Sequence, residues 1–262
     1  MPTDKLTLTI LGSGTSTGIP VIGCSCAVCH SSDQRNQRTR CSALLNFRDH
    51  NILIDTATDL RQQMLREDIR HIDAVLYTHV HADHLHGIDD LRVFTLRGEP
   101  VIPLYGAASA LDQIQHNFSY IFDPSSEPGY IPQLKVCPVT DTFNLYGMSL
   151  TPVPLLHGGM EVFGYRVGPL AYLTDCNGIS ESSLKLLKGV EFLVIDGLRI
   201  KPHRTHFNIQ QAVAMAQRIG AKKTWLTHLS HEVDHQKHEN ELPSGFGLAF
   251  DGQRIEVDLT SN

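Results

Sequence analysis

Leu76-Tyr77-Thr78-His79-Val80-His81-Ala82-Asp83-His84 is where a hydrophobic run gives way to four potential metal ligands within six residues. The apolar lead, Ala74 to Thr78, reads as a buried strand. At strand spacing His79 and His81 project to the same side, and Asp83 and His84 fall on the turn that follows, so the group can converge on a pair of cations. A polar loop with chance histidines is the alternative. It leaves unexplained why lone ligand candidates close other strand-like runs: Asp55 after Ile52 to Ile54, His157 after Leu150 to Leu156, Asp175 after Leu170 to Thr174, and His228 after Lys223 to Thr227.

Around these runs the chain alternates short strands with fewer helices. Leu6 to Leu11, Ala43 to Phe47 and Ile52 to Asp55 open the series, followed by Ala74 to Thr78, Val101 to Tyr105, Leu134 to Val136, Ser149 to Val153 and Glu161 to Val167. Ala171 to Thr174, Phe192 to Asp196, Lys223 to Thr227 and Arg254 to Asp258 close it. The best helix has Asn208 as N-cap, Ile209, Ala212, Val213, Ala216 and Ile219 on one face, and Gly220 as its stop; a second runs from about Ser180 to Leu187. Early hairpins and late strand–helix alternation predict an α/β fold of two mixed β-sheets packed face to face, with helices outside. No repeat, low-complexity tract or long linker divides residues 1–262, so one domain is expected.

Composition narrows the class. The chain of 262 residues carries 22 Lys+Arg against 28 Asp+Glu, a net charge of −6, so no basic field attracts a polyphosphate backbone. No apolar run approaches the roughly 20 residues of a membrane-spanning helix, and Met1 to Leu11 is a polar lead into a strand, so a cytoplasmic protein without a cleaved signal is expected. Fifteen histidines, several in tight groups, point to metal. The six cysteines do not suggest a disulfide framework, because Cys24, Cys26 and Cys29 lie too close together. Cys41, Cys137 and Cys176 have no such pattern and are expected in or near the core.

The H-x-H-x-D-H stretch with its downstream His, Asp and His resembles the metallo-β-lactamase superfamily, whose fold is an αβ/βα sandwich with a dinuclear metal site at its edge. The resemblance implies that His79, His81 and His157 hold one divalent metal and Asp83, His84 and His228 the other, with Asp175 bridging and Asp55 bracing the site from behind. Two such cations about 3.5–4 Å apart would lower the pKa of a bridging water from about 15.7 toward about 7 and clamp the attacking and leaving oxygens. Two M²⁺ carry +4, against −3 from Asp83, Asp175 and one hydroxide. The residual positive charge suits an anionic phosphodiester better than a neutral ester. The N/O donor set accepts Zn²⁺, Mn²⁺ or Fe²⁺.

Gly23-Cys24-Ser25-Cys26-Ala27-Val28-Cys29 offers three thiolates to one tetrahedral zinc, which needs a fourth ligand. A redox cluster or a set of small buried hydrophobes are the alternatives. Inside a metallo-β-lactamase chain this spacing looks like the branch of phosphoribosyl 1,2-cyclic phosphate phosphodiesterases. That resemblance implies a structural zinc closed by His231, three residues after His228, on a small zinc-binding loop at about 23–41. It also implies that a histidine ahead of the late helix contacts the scissile phosphate and assists the leaving group. His206 in His206-Phe207-Asn208 matches it, with His203 or plain helix capping as alternatives. Asp196 ends a strand on the same rim and is a candidate to orient a histidine.

Gly12-Ser13-Gly14-Thr15-Ser16-Thr17-Gly18 fails as a dinucleotide fingerprint, since its spacing is G-x-G-x-x-x-G and Ile19-Pro20-Val21 continues extended. It is expected as a turn at the site rim. His30, His50, His71, His86, His116, His235 and His238 are expected at the surface or in local polar contacts, with His86 the first exception to look for. The resemblance runs from Leu6 to the Phe250-Asp251-Gly252 region.

Together these observations predict a metal-dependent phosphodiesterase that opens small or cyclic phosphodiesters with a metal-bridging hydroxide; a homodimer is left open. A tRNA 3′-processing nuclease, a thioester or lactam hydrolase, and a non-catalytic metal-binding accessory protein on the same fold are the alternatives. The nuclease would need a basic arm that the sequence lacks, nucleic acid is not an expected partner, and the accessory reading would be favoured by a missing ligand.

Overall fold

The computed structural model describes residues 4–96, 101–123, 125 and 129–259. Fourteen strands form among them: β1 Lys5–Gly12, β2 Ser42–Phe47, β3 His50–Ile54, β4 Ala74–Leu76, β5 Ile102–Gly106, β6 Leu134–Pro138, β7 Phe143–Leu145, β8 Met148–His157, β9 Met160–Val167, β10 Leu170–Leu173, β11 Phe192–Asp196, β12 Lys223–Thr227, β13 Phe246–Leu248 and β14 Arg254–Asp258. They make two seven-stranded sheets, in the orders β14-β1-β2-β3-β4-β5-β6 and β13-β12-β11-β10-β9-β8-β7.

Both sheets are mixed in the same way. In the first, β14-β1-β2-β3 pair antiparallel and β3-β4-β5-β6 pair parallel. In the second, β7-β8-β9-β10 pair antiparallel and β10-β11-β12-β13 parallel. Strand alternation divides the apolar residues between layers. Leu6, Leu8 and Ile10 meet Tyr165, Tyr172 and Val194 between the sheets. Leu53, Val75 and Tyr77 turn outward beneath helices on one side, and Leu173, Leu193 and Ile195 do so on the other.

The helix Ile209–Ile219 covers the second sheet. Asn208 caps it in a reciprocal capping box with Gln211, and Gly220 stops it at φ 84°. Its packed face is Ile209, Ala212, Met215, Ala216 and Ile219. Met215, not the expected Val213, packs against this core. The expected second helix is Glu181–Leu186, capped by Ser180. The short strands β7 and β13 are absent from the sequence expectation, since three residues are too few to show a period. No described helix is long and apolar enough to cross a membrane.

Candidate active site

The carboxyl ends of neighbouring parallel strands meet at one edge of the sandwich, where open α/β sheets bind ligands. Asp55 follows β3 and His79 lies three residues beyond β4. Asp175 follows β10, Asp196 ends β11 and His228 follows β12, while His157 ends the antiparallel β8. Asp55, Asp175 and His228 have φ of 61°, 51° and 59°. A left-handed non-glycine residue costs about 1–3 kcal/mol, so the surrounding packing holds three site residues in a conformation they would not adopt alone.

The central stretch differs from its expected geometry. β4 ends at Leu76; His79 and His81 lie on the loop beyond it, and Asp83 and His84 on the one-turn helix Ala82–Leu85. Parallel pairing with β5 ends at Leu76 opposite Tyr105, and the Tyr77 N–H makes one further bond to the Tyr105 carbonyl at 2.7 Å. The loop still brings the side chains together. His79, His81, His157 and Asp175 offer one ligand atom each within 4.8 Å of one another, and so do Asp83, His84 and His228. Asp175 sits between the groups, its carboxylate 3.2 Å from His84 Nε2, 3.4 Å from His228 Nε2 and 3.8 Å from His79 Nε2.

Hydrogen bonds set the tautomers. His84 Nδ1–H donates to Asp55 Oδ2 at 2.7 Å, and His157 Nδ1–H to the Thr205 carbonyl at 2.8 Å. The single hydroxyl proton of Thr78 goes to Asp55 Oδ2 at 2.7 Å, so Thr78 Oγ1 accepts from His79 Nδ1–H at 2.9 Å. Each ring therefore turns its lone-pair Nε2 inward, the arrangement a cation requires. The buried Nε2 atoms of His79, His84 and His228 have no hydrogen-bond partner among the described residues. Buried polar atoms rarely stay unpaired, so this donor set fits divalent cations.

Charge balance agrees. Burial and the neighbouring histidines push His79 well below the ordinary imidazole range, despite Asp175. Burial also opposes charge on His84, but Asp175, Asp55 and Asp83 outweigh it and raise its pKa well above normal. Burial would raise Asp175, yet His228 and His84 hold it well below the usual carboxylate range. A buried anionic centre ringed by imidazoles calls for positive charge.

His206 lines the same 380 Å³ cavity as His81, Asp83, His157, Asp175 and His228, together with Ser16, Gly159, Met160 and Thr205. Asn208 is the helix cap, so capping does not account for His206. Asp196 orients its ring, as the strand-end position suggested. His203 is exposed beside it, ring centroids 5.2 Å apart.

Cys24, Cys26 and Cys29 surround His231 Nδ1 at 3.3, 3.7 and 3.7 Å, and all three remain free thiols. Backbone N–H groups of Cys26, Cys29 and Val21 point at the sulfurs of Cys24, Cys26 and Cys29. The Cys29 N–H, with Cys24 and His231 nearby, outweighs burial and lowers Cys26 to about 6, while burial pushes Cys29 up to about 11. Four converging S/N donors fit one tetrahedral zinc.

The glycine-rich turn lies at the rim as expected. Leu229, between His228 and His231, donates its N–H to the Ser13 carbonyl at 2.9 Å and accepts from Thr15 N–H at 3.1 Å. A Cβ at Gly12 would collide with the Arg40 carbonyl. Asp251 anchors this turn by accepting from Ser13 N–H and hydroxyl at 2.9 and 2.8 Å. Thr78, Thr205 and Met160 carry no sequence signal: two act through backbone or hydroxyl groups common to any loop, and Met160 is one apolar residue in a hairpin. Cys41 and Cys176 are buried, but Cys137 lies half-exposed on the edge strand β6. His235 and His238, expected at the surface or in local polar contacts, are buried and make such contacts: His235 lies 3.3 Å from Glu239, the His238 ring meets the Asp234 carbonyl at 2.9 Å, and the His235 N–H donates to Asn36 Oδ1. His86 is exposed and edges Phe118.

Histidines and aspartates at the carboxyl edges of two stacked mixed sheets are the layout of the metallo-β-lactamase fold. The profile of the Beta-lactamase superfamily domain matches residues 50–229, and the chain belongs to that superfamily. Within it, a solved diphosphatase from the PhnP family is 42% identical, with a TM-score of 0.90 over 97% of this chain and 98% of that one. An octanoyltransferase of Porphyromonas gingivalis (strain ATCC BAA-308 / W83) is 39% identical over 95% of this chain, which spans about half, 51%, of that protein's length. Zn²⁺-bound PqqB from Methylobacterium extorquens shares the fold, with a TM-score of 0.78 and 21% identity over 97% of this chain and 100% of that one.

Proposed function

We propose that the chain is a metal-dependent phosphodiesterase acting on small or cyclic phosphodiesters. The observation that carries this reading is the set of inward-facing, unpartnered Nε2 atoms on His79, His84 and His228 around Asp175, with Asp175 and His228 lining one cavity together with a His206 held by Asp196. His79, His81 and His157 would hold one divalent ion and Asp83, His84 and His228 the second, with Asp175 shared; Cys24, Cys26, Cys29 and His231 would hold a structural zinc. When bound, the two active-site ions supply Lewis acidity and a water acidic enough to attack at neutral pH.

The chain's own groups do the rest. Asp55, Thr78 and the Thr205 carbonyl keep three rings in the ligating tautomer. Asp83 and Asp175 offset only part of the charge of two dications, which leaves the cavity attractive to an anion. His206 contacts the phosphate or delivers a proton to the departing oxygen. The diphosphatase character of the 42% identical relative supports chemistry at phosphorus. A tRNA-gripping role has no support in a chain of net charge −6.

Bis(p-nitrophenyl) phosphate and 2′,3′-cyclic nucleotides assayed with Mn²⁺ or Zn²⁺ should be hydrolysed, and phosphomonoesters poorly. Strong thioesterase activity or cleavage of tRNA precursors, without activity on small diesters, would overturn the proposal.

A further inference from the structure

Apart from Ser16 and Thr205, one cavity-lining side chain neither ligates nor titrates, and it is apolar: Met160. It opens β9 directly across from His157, the two being register partners in the β8–β9 hairpin. Directly opposed residues of an antiparallel pair place their side chains on the same face, about 4.5–5.5 Å apart at Cβ. Met160 therefore stands next to the His157 ring and continues the cavity wall outward. It is 42% exposed, a large apolar side chain left open beside a polar centre.

The turn that carries it is built tightly. Gly158 has φ 62°, and a Cβ there would come within 2.8 Å of Thr205 Cγ2. The turn is thereby pressed onto the segment whose carbonyl holds His157 and which leads into His206. Gly159, by contrast, has open space around its Cβ position, so the tip leaves the mouth unobstructed. Ser16 of the glycine-rich turn also lines the cavity. An ester substituent leaving the centre along this wall of the cavity would pass Met160.

We infer that Met160 is a specificity-determining residue that receives the flat, apolar part of the substrate, an aryl or nucleobase group attached through the ester. The inference rests on the phosphodiesterase reading and adds the class of substituent. A thioether on a flexible stem packs well against ring edges and faces, and its three rotatable bonds adapt to different rings. The cavity volume of 380 Å³ accommodates one such unit.

The test compares two cyclic diesters with and without a nucleobase on the full metal-loaded protein. Substrates are 2′,3′-cyclic AMP and ethylene phosphate, a cyclic diester with no aryl or base group to contact Met160. For Met160→Ala, KM for 2′,3′-cyclic AMP should rise about tenfold with kcat within twofold, and ethylene phosphate kinetics should not change. Metal content should equal that of the parent. Met160→Leu, which keeps the apolar volume, should restore KM to within about threefold. Equal effects of Met160→Ala on both substrates, or none on either, would overturn the assignment. Absence of hydrolysis of both substrates by the parent protein would instead reject the phosphodiesterase reading beneath it.

Discussion

His206 Nδ1 lies 2.6 Å from Asp196 Oδ2, a carboxylate with no solvent exposure whose oxygens also accept the N–H groups of Cys176 and Leu198. With all three donors converging on it, Asp196 is an acceptor toward His206, so the ring's other nitrogen is the one free to act. The ring stacks on His228 with centroids 4.7 Å apart and an 11° interplanar angle. It thus lies flat against a candidate ligand, and Asp175, His206 and His228 each offer one ligand atom within 4.8 Å of the others.

His206→Ala should keep the full metal content and lose about 10²–10⁴-fold in turnover of a 2′,3′-cyclic nucleotide, whose ribose oxygen departs poorly. If His206 delivers a proton, the loss should shrink on bis(p-nitrophenyl) phosphate, because p-nitrophenolate leaves without one. Equal losses on both substrates would indicate phosphate binding. Parent-like rates on both would remove His206 from the reaction and turn attention to His203.

Ligand replacement should look different. His84→Ala and Asp175→Ala should lose activity and active-site metal together, as read by elemental analysis beside the rate. Retention of two active-site ions in either variant would contradict the ligand assignment.

The cysteine cluster makes a pH prediction. Thiolate is the reactive form, so a lowered pKa brings alkylation to lower pH. In zinc-free protein, Cys26, lowered to about 6, should be alkylated by iodoacetamide through that range, whereas Cys29, raised to about 11, should resist until strongly alkaline pH. Zinc should protect both, and Cys26→Ala should lose one zinc per chain. Peptide mass spectrometry across pH checks the order; equal labelling of the two at neutral pH would contradict it.

Asp55 is fully buried and accepts from the Thr78 N–H, the Thr78 hydroxyl and His84. Asp55→Ala leaves these donors unpaired, which should destabilise the fold by about 3–5 kcal/mol. It should also weaken active-site metal binding about 10–100-fold, since His84 loses its orienting partner. Denaturant melts and chelator competition measure the two effects. An unchanged metal affinity would show that packing alone orients His84.

Much of this was legible in local pattern. Phe192–Asp196, Lys223–Thr227 and Arg254–Asp258 appear with the boundaries expected, because a strand's apolar run and its polar end are written in consecutive residues. The candidate ligands were legible for the same reason: Asp175, His228 and His157 lie at or just beyond a strand end, and a strand end at a sheet edge is where a side chain can meet others. The strand expected to run to Thr78 stops at Leu76, with His79 and His81 on the loop beyond it, since a period of two continues equally well past a strand end. The burial of His235 has no local signal, since a single histidine shows nothing of the segment around Asn36 that packs against it.

The sequence by itself determined the donor types, their order and the mixed two-sheet architecture, all of which depend on short-range periodicity and side-chain chemistry. Only the tertiary structure decided which nitrogen each ring offers and what holds it there. Those choices rest on atoms far apart in sequence: the Thr205 carbonyl 48 residues from His157, Asp55 29 residues from His84, and His231 207 residues from Cys24. A backbone carbonyl is the same in every residue, so its partner is set by packing. The left-handed backbone at Asp55, Asp175 and His228 has much the same origin: Asp and His tolerate it better than most residues, but the packing around the strand ends fixes it at these three positions.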